Sequence, residues 1–439
     1  MKLNYILAIL SLALCFTNCK TKSENNQANN NLPELLMRPS TIGPENEMGY
    51  MLDQYNSLAT KIMSNDNDHE SKLALAELFM MEARISGEHG YYYPAALTMI
   101  DDVLMHALEN PNMYRAKLDK ASVLLSLHRF AEAKVLGEEA LKLNPYSADS
   151  YGVLVDANVE LGLYDVAVGY ADKMVSIRPD LRSYSRISYL REIHGMVTES
   201  IAAMKMAVAA GYPGMEQTEW ARLTLGHLYQ RYGMQDSALL QYAIALEARP
   251  NYPFAIAAMA DTYGTLGEEA KADSLSDLAM HLIPEIGFYV SRANRELENG
   301  NSVRSNELTQ EILEMLADDE ASGHQMNLEK AGIYIDLLKN PEQALTYALI
   351  EYELRPSNID VNKVLSEIYY MLDNPTKAQE HLQKALVTGT NDPETRCLEG
   401  VLLAKTTNAQ DGVKQLQGVF AINPNLQCRI CDEAREILL

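Results

Sequence analysis

Tryptophan, phenylalanine and strand-forming patterns are scarce in this chain. Its 439 residues include one Trp and six Phe, and no run alternates Val, Ile or Thr with polar residues, as a half-buried strand would. Leu, Ala and Glu predominate instead, and these residue types favour helices. The composition therefore indicates an all-α protein, built either as two or three ordinary domains or as one array of repeats.

Positive charge is also in deficit. Lys and Arg number 37 against 60 Asp and Glu, which gives a formal net charge of -23. Such a surface repels phosphate groups, so we expect no nucleic-acid partner. The acidic balance favours solubility, and it also suits basic partners or weakly held cations.

The motifs of common catalytic sites are absent from the sequence. There is no HExxH pair, GxSxG turn, GxxxxGK[ST] loop or GxGxxG after a strand, and the nine histidines are scattered. We therefore predict a protein without catalytic residues, cofactor or metal ion. Residues 65–70 look like a calcium loop but lack its central Gly, so Asp68 is predicted to cap a helix instead.

The amino terminus has the features of an export signal. An apolar run over residues 3–16 follows a lysine and is too short for a permanent membrane span. Phe16-Thr17-Asn18-Cys19 resembles the lipobox of bacterial lipoproteins, which implies a signal peptide of residues 1–18 and diacylation of Cys19. A plain secretory signal is the alternative, and Cys15 is a rival acylation site. Residues 19–32 are predicted to be a flexible polar linker.

Proline recurs at a fixed period through most of the chain. In one series of prolines, neighbouring members are separated by 34 residues, once by 37, and twice by a gap of about two periods. They are Pro111, Pro145, Pro179, Pro213, Pro250, Pro284, Pro356 and Pro424. A period this persistent predicts an array of repeats. The pattern is weakest between Gly287 and His324, where we expect a bend or a looser joint.

The unit from Trp220 to Pro250 shows how each repeat is predicted to fold. Its residues have the spacing that joins two antiparallel helices, namely Leu225, Gly226, Tyr229, Ala238, Tyr242, Ala245 and Pro250. Gly226 lets the neighbouring helix approach closely, and Arg249 places a cation at the carboxyl end of the second helix. This pattern resembles the tetratricopeptide repeat (TPR) family, and copies of it cover most of residues 111–424.

The resemblance implies an all-α, right-handed superhelical solenoid whose first helices line a concave groove. Residues 33–110 are predicted to be degenerate helical repeats, residues 111–424 the TPR array, and residues 425–439 a capping helix. The Lys and Asn set with which chaperone-binding TPR domains clamp a carboxylate is not reproduced. First-helix positions expected to face the groove are Asp156, Glu160, His194, Trp220, His227, Arg231, Asp261, Asp336, Glu367 and Tyr370.

Within that groove, Trp220, His227 and Arg231 are the favoured anchor for a partner, because Trp and Arg carry a large share of binding energy. Trp220 could equally be core between repeats. Tyr91, Tyr92 and Tyr93 are placed in a loop, where they either form an exposed binding site or pack over the amino-terminal repeats.

Three cysteines remain beyond the lipobox: Cys397, Cys428 and Cys431. A disulfide from Cys397 to one of the other two is favoured over a redox centre at the Cys-Arg-Ile-Cys motif. A zinc site would need a fourth ligand, which the sequence does not supply nearby.

Together these features predict a non-enzymatic scaffold of the bacterial cell envelope, exported and lipid-anchored at the outer membrane. It would bind an envelope protein in its groove. The alternative is a surface lipoprotein that binds glycans or nutrients and is similar to the SusD-like family, for which only the three tyrosines argue. A redox or hydrolytic enzyme based on Cys428 and Cys431 is a third hypothesis.

Overall fold

The structure is a computed structural model that describes residues 32–106 and 110–439, and residues 34–439 form one compact unit. The predicted signal peptide and Cys19 lie outside the described residues. Within the described part, the chain consists of helices and short connections, without strands. The helices are α1 (Glu47–Ser64), α2 (His69–Ser86), α3 (His89–His106), α4 (Asn110–Ser126), α5 (Phe130–Leu143), α6 (Ala148–Glu160), α7 (Tyr164–Ile177), α8 (Leu181–Ile193), α9 (Val197–Ala209), α10 (Glu216–Arg231), α11 (Gln235–Ala248), α12 (Pro253–Thr265), α13 (Glu269–Leu282), α14 (Ile286–Glu298), α15 (Ser302–Ala321), α16 (Asn327–Asp336), α17 (Pro341–Leu354), α18 (Ile359–Met371), α19 (Pro375–Ala385), α20 (Pro393–Leu402), α21 (Ala409–Ile422) and α22 (Cys431–Leu438).

From α2 to α21 these helices pack in consecutive pairs, each pair being one hairpin. Helix α1 precedes the first hairpin, and α22 covers the last one by packing on α20 and α21. The all-α solenoid of helical hairpins predicted from the 34-residue period is therefore confirmed. Where the period is weakest, α14 and α15 still form a regular hairpin, and α15 is lengthened to 20 residues.

Small side chains occupy the contact between the two helices of a hairpin, as the pattern predicted. Ala238 and Ala245 are fully buried on α11, and Tyr242 between them is buried as well. On the facing helix, a Cβ atom at Gly226 would overlap the Tyr242 ring. Glycine is thus required here because the Tyr242 ring packs directly against the backbone of α10.

Helix starts also follow from local sequence. The Asp68 side chain accepts a hydrogen bond from the Ser71 amide at 3.0 Å at the start of α2, which is the predicted cap. Ser147, Asp180, Asn358 and Asp392 cap later helices in the same way. Each cap satisfies an amide that the first turn of a helix leaves unpaired.

The repeats form a superhelix whose second circuit packs directly on the first. Hydrogen bonds join residues that are about 190 to 210 positions apart in sequence. In most of them the turn inside an early hairpin meets the turn between two later hairpins. These contacts are Gly43 with Pro250 and Leu127 with Gln325 through backbone groups, Tyr164 with the Ile359 amide, Gly195 with Asn391, and Arg231 with Asn423. We call this line of contacts the seam.

The seam changes the groove that the sequence predicted. The first helices line the inner surface, but neighbouring circuits touch, so this surface faces an enclosed lumen. Solvent reaches the lumen, but protein surrounds it on most sides. Charged groups inside the lumen therefore lose part of their hydration.

No helix in the described part of the chain has the length and apolar character needed to cross a membrane.

Candidate functional site

A polar cavity of about 530 Å³ opens on the inner surface. It lies between the carboxyl-terminal ends of α10, α12 and α14, and residues 423–427 close one side of it. Three predicted groove residues, His227, Arg231 and Asp261, line this cavity together. Their meeting follows from the repeat, because each occupies an inner position near the end of its hairpin's first helix.

A second cavity of about 210 Å³ adjoins the first, since Arg231 and Glu394 line both. Together the two cavities expose seven carboxylates and three cationic side chains. The carboxylates are Glu192, Asp261, Glu269, Glu298, Asp360, Asp392 and Glu394, and the cations are Arg231, Arg295 and Lys363. The lumen at this level is therefore acidic, like the chain as a whole.

The cations are already engaged by part of this acidic set. Arg231 is paired with Glu192 and Lys363 with Glu394, while Arg295 lies 3.2 Å from an Asp261 oxygen. Two of the remaining carboxylates have no partner among the described residues, and we call them uncommitted. Within the described residues, neither Asp360 nor Glu298 forms a hydrogen bond or an ion pair through its side chain, and each lines a cavity.

Enclosure of the lumen shifts the ionisation of its lining groups. Asp261 keeps solvent contact, but the protein around it desolvates the carboxyl and raises its pKa to about 6, against the opposing effect of Arg295. Desolvation likewise raises the pKa of Asp360. The same loss of hydration, with the nearby Arg231 charge, lowers the pKa of His227 to about 4. His227 is therefore neutral at physiological pH.

The other predicted groove residues do not join this cavity. Asp156 pairs with Arg186, and Glu160 pairs across the seam with Arg355. Burial raises the pKa of Glu160 to about 7 even though Arg355 opposes the shift. His194 ends α8, and the Tyr370 hydroxyl donates to Glu433 at 2.7 Å.

Trp220 lies on the same face of α10 as His227, but outside the cavity lining. Its side chain is 48% exposed, so it is not core between repeats. An indole with this exposure remains free to contact a partner.

The chain's own carboxyl-terminal segment occupies part of the inner surface, which sequence reasoning missed. The Arg429 guanidinium donates to both Asp336 carboxylate oxygens, at 2.6 and 2.9 Å, and also pairs with Glu367. Asp336 and Glu367 were predicted to face a partner, yet both bind this segment. In the sequence, this contact corresponds only to an Arg between two cysteines near the chain end. That spacing does not identify a residue that binds the inner surface.

The three tyrosines are placed differently from the prediction. They belong to the first turns of α3 instead of a loop. Tyr92 and Tyr93 are buried, and the Tyr91 hydroxyl donates to the Glu34 carbonyl at 2.9 Å. They therefore belong to the first hairpin, in which the Tyr92 ring stacks on Phe79 of α2.

The cysteines also differ from the favoured pairing. Cys428 is bonded to Cys431, and Cys397 is a free, buried thiol. Burial raises the pKa of the Cys397 thiol to about 12, so it is protonated at neutral pH. A protonated thiol is a poor nucleophile, so Cys397 is not an activated thiol. The redox-enzyme hypothesis concerns the bonded pair, Cys428 and Cys431, and stays a prediction.

Neither a protein-family model nor a curated protein matches the chain. Several solved structures have a similar fold. A tetratricopeptide repeat protein from Parabacteroides merdae is 13% identical, with a TM-score of 0.40 over 56% of this chain and 93% of that one. PilW, a type IV pilus biogenesis factor, is 20% identical, with a TM-score of 0.38 over 46% and 92%. A human IFIT1 dimer with PPP-AAAA is 15% identical, with a TM-score of 0.46 over 85% and 88%.

The assignment of the fold rests on the chain's own geometry. Helices pair consecutively along the chain, the repeat recurs every 34 residues, and small residues fill the contact within each hairpin. These are the features of an array of stacked helical hairpins, to which the seam adds contacts between circuits. The chain is an all-α solenoid of the tetratricopeptide repeat type.

Proposed function

We propose that this chain is a non-enzymatic scaffold that holds a partner protein by a positively charged, extended segment inserted into the lumen. The observation that carries this proposal is the pair of adjoining cavities, with seven carboxylates against three cations. A segment bearing Lys or Arg would complement that charge and gain electrostatic steering toward the lumen.

The uncommitted side chains give such a segment specific partners. Asp360 and Glu298 can accept hydrogen bonds from an ammonium or guanidinium without breaking an existing ion pair. Asn294 and Asn425 also line the larger cavity, and their side chains have no hydrogen bond to the described residues. Amide side chains can both donate to and accept from a peptide backbone, so the cavity suits an extended chain.

The proposed setting is the cell envelope, with the chain exported by residues 1–18 and anchored through Cys19. An acidic surface supports a protein partner over nucleic acid. Trp220, half exposed on the face of α10 that also carries His227, is proposed as an apolar anchor. The glycan-binding alternative loses its support because Tyr92 and Tyr93 are buried.

Removing the two uncommitted carboxylates tests the proposal. A fluorescent peptide of alternating Lys and Gly should bind the full chain, and the double change Asp360→Asn with Glu298→Gln should weaken binding by roughly tenfold, or about 1.4 kcal/mol. Fluorescence anisotropy at low ionic strength measures both. Neither change breaks an ion pair, so the fold should be retained.

The matched control is the pair Glu314→Gln and Glu342→Gln, which removes two carboxylates from exposed positions of α15 and α17. This variant has the same net charge as the test variant and should bind nearly as well as the unmodified chain. Equal weakening by both variants would show that peptide affinity depends only on the total charge of the chain. That result would contradict binding in the lumen.

The proposal also predicts a pH dependence. Because the pKa of Asp261 is raised to about 6, this carboxylate is ionised at pH 8 and becomes protonated as the pH falls through 6. Peptide affinity should therefore drop between pH 8 and 5.5, and Asp261→Asn should flatten that part of the profile. An unchanged profile in the variant would remove Asp261 from the binding surface.

A further inference from the structure

The three cysteines of the carboxyl-terminal region converge on one point although only two of them are bonded. Cys397 is on α20, Cys428 lies in the turn before α22, and Cys431 is the first residue of α22. Their sulfur atoms all lie within 4.8 Å of one another, and the Sγ atoms of Cys397 and Cys431 are 4.0 Å apart. Cys397 and Cys431 are completely buried.

The unbonded pair, Cys397 and Cys431, has the separation of two ligands in a three-coordinate metal site, and the two bonded sulfurs would move apart on reduction. A metal–thiolate bond of about 2.3 Å places three sulfurs of a trigonal site about 4.0 Å apart. No carboxylate or histidine of residues 32–106 and 110–439 joins the three sulfurs at that range. A tetrahedral Zn²⁺ site would lack its fourth ligand, whereas an all-thiolate set selects soft cations such as Cu(I).

We propose that Cys397, Cys428 and Cys431 form a binding site for one Cu(I) ion when the Cys428–Cys431 disulfide is reduced. A dithiol or phosphine reductant supplies two electrons, which break the sulfur–sulfur bond, and two protons from solvent convert the sulfurs to thiols. The ion then replaces thiol protons, which return to solvent, and three sulfur–copper bonds form. The copper does not change oxidation state.

The surroundings fit an ion with low affinity for water. Leu398, Leu426 and Ile430 are buried in the same cluster as Cys397 and Cys431. The bound ion would connect α20 to the start of α22 and the turn before it, a link that the disulfide, local to residues 428–431, does not make. Reduction would thus exchange a local crosslink for one between the last hairpin and its cap.

Anaerobic titration of the full chain tests the site. After reduction with a phosphine, Cu(I) is added in competition with bicinchoninate, and one ion per chain is expected to transfer to the protein. The oxidised chain should take up none at this site. Cys397→Ser should weaken binding by roughly 100-fold, because it removes one of three ligands. The change Cys15→Ser with Cys19→Ser is the control and should leave the site intact.

X-ray absorption on the loaded chain gives a readout that needs no variant. Three sulfur neighbours at about 2.3 Å are expected. Two sulfurs, or Cu(I) affinity unaltered by Cys397→Ser in a variant with unchanged circular dichroism, would overturn the proposal. Equally tight Zn²⁺ binding would also overturn it, because that ion requires a ligand the site does not contain.

Discussion

Replacing Glu47 with Ala is expected to lower the free energy of unfolding by about 3 to 5 kcal/mol, the usual effect of removing one partner from a buried ion pair. Glu47 accepts hydrogen bonds at 2.8 Å from both Arg38 and Arg249. Arg249 is 0% exposed, so the variant would leave a guanidinium buried without its carboxylate. The contact spans 202 residues and joins the first circuit of the superhelix to the second.

Urea denaturation followed by circular dichroism measures this loss. The control is Glu307→Ala, which removes the partner of Arg304 in an exposed pair within α15 and should cost less than about 1 kcal/mol. A loss at Glu47 no larger than at Glu307 would show that the two circuits do not depend on this ion pair.

The same network predicts how acid acts on the fold. Burial opposes ionisation of Glu47, but Arg249 and Arg38 outweigh it, and the pKa of Glu47 is lowered. A carboxylate with a lowered folded-state pKa contributes stability above its unfolded pKa, and this contribution is lost as the pH falls through the folded-state pKa. Glu47→Ala should therefore be less sensitive to acid below pH 4.5 than the unmodified chain.

Local patterns were enough to predict the hairpins. The spacing of Ala238, Tyr242 and Ala245 depends only on helix geometry, and so does the need for Gly226 opposite Tyr242. Asp68 was assigned as a cap from residues 65–70 alone. Information of this kind lies within one repeat, and the structure agrees with it.

The seam could not be predicted, because its partners are about six repeats apart in sequence. Arg249 was interpreted as a cation at the end of a helix, whereas its main partner is Glu47 in the preceding circuit. The same distance explains Glu160, which was assigned to a partner and instead binds Arg355. The small rotation per repeat decides whether circuits touch, and no single residue encodes it.

The candidate site was predictable only in part, because some contacts of its residues also depend on segments that are distant in sequence. The position within a first helix identified His227, Arg231 and Asp261, which share one cavity. It could not show that Arg429 would cover Asp336 and Glu367, since this depends on the path of the last residues. The uncommitted Asp360 was missed because unpaired and paired carboxylates look alike in a sequence.

The seam makes one further strong prediction, for which the chain supplies its own control. Gly162 and Gly267 occupy equivalent turns inside two hairpins, with φ of 75° and 77°. An alanine at either position would carry the same penalty for left-handed backbone, roughly 1 to 2 kcal/mol. At Gly162 the added Cβ would overlap the Ser357 backbone across the seam, whereas at Gly267 nothing lies within 4 Å.

Gly162→Ala should therefore be less stable than Gly267→Ala by about 1 to 3 kcal/mol, the cost of inserting a methyl group into a packed contact. The backbone of Ser357 cannot move aside by a rotamer change, so the clash separates the two circuits. Hydrogen exchange at the Ile359 amide, which donates to the Tyr164 hydroxyl at 2.8 Å, should accelerate in Gly162→Ala and stay slow in Gly267→Ala. Equal stability and equal exchange in the two variants would mean that the circuits are not held together in solution. The enclosed acidic lumen depends on that contact, so this comparison also decides whether a partner meets a closed channel or an open groove.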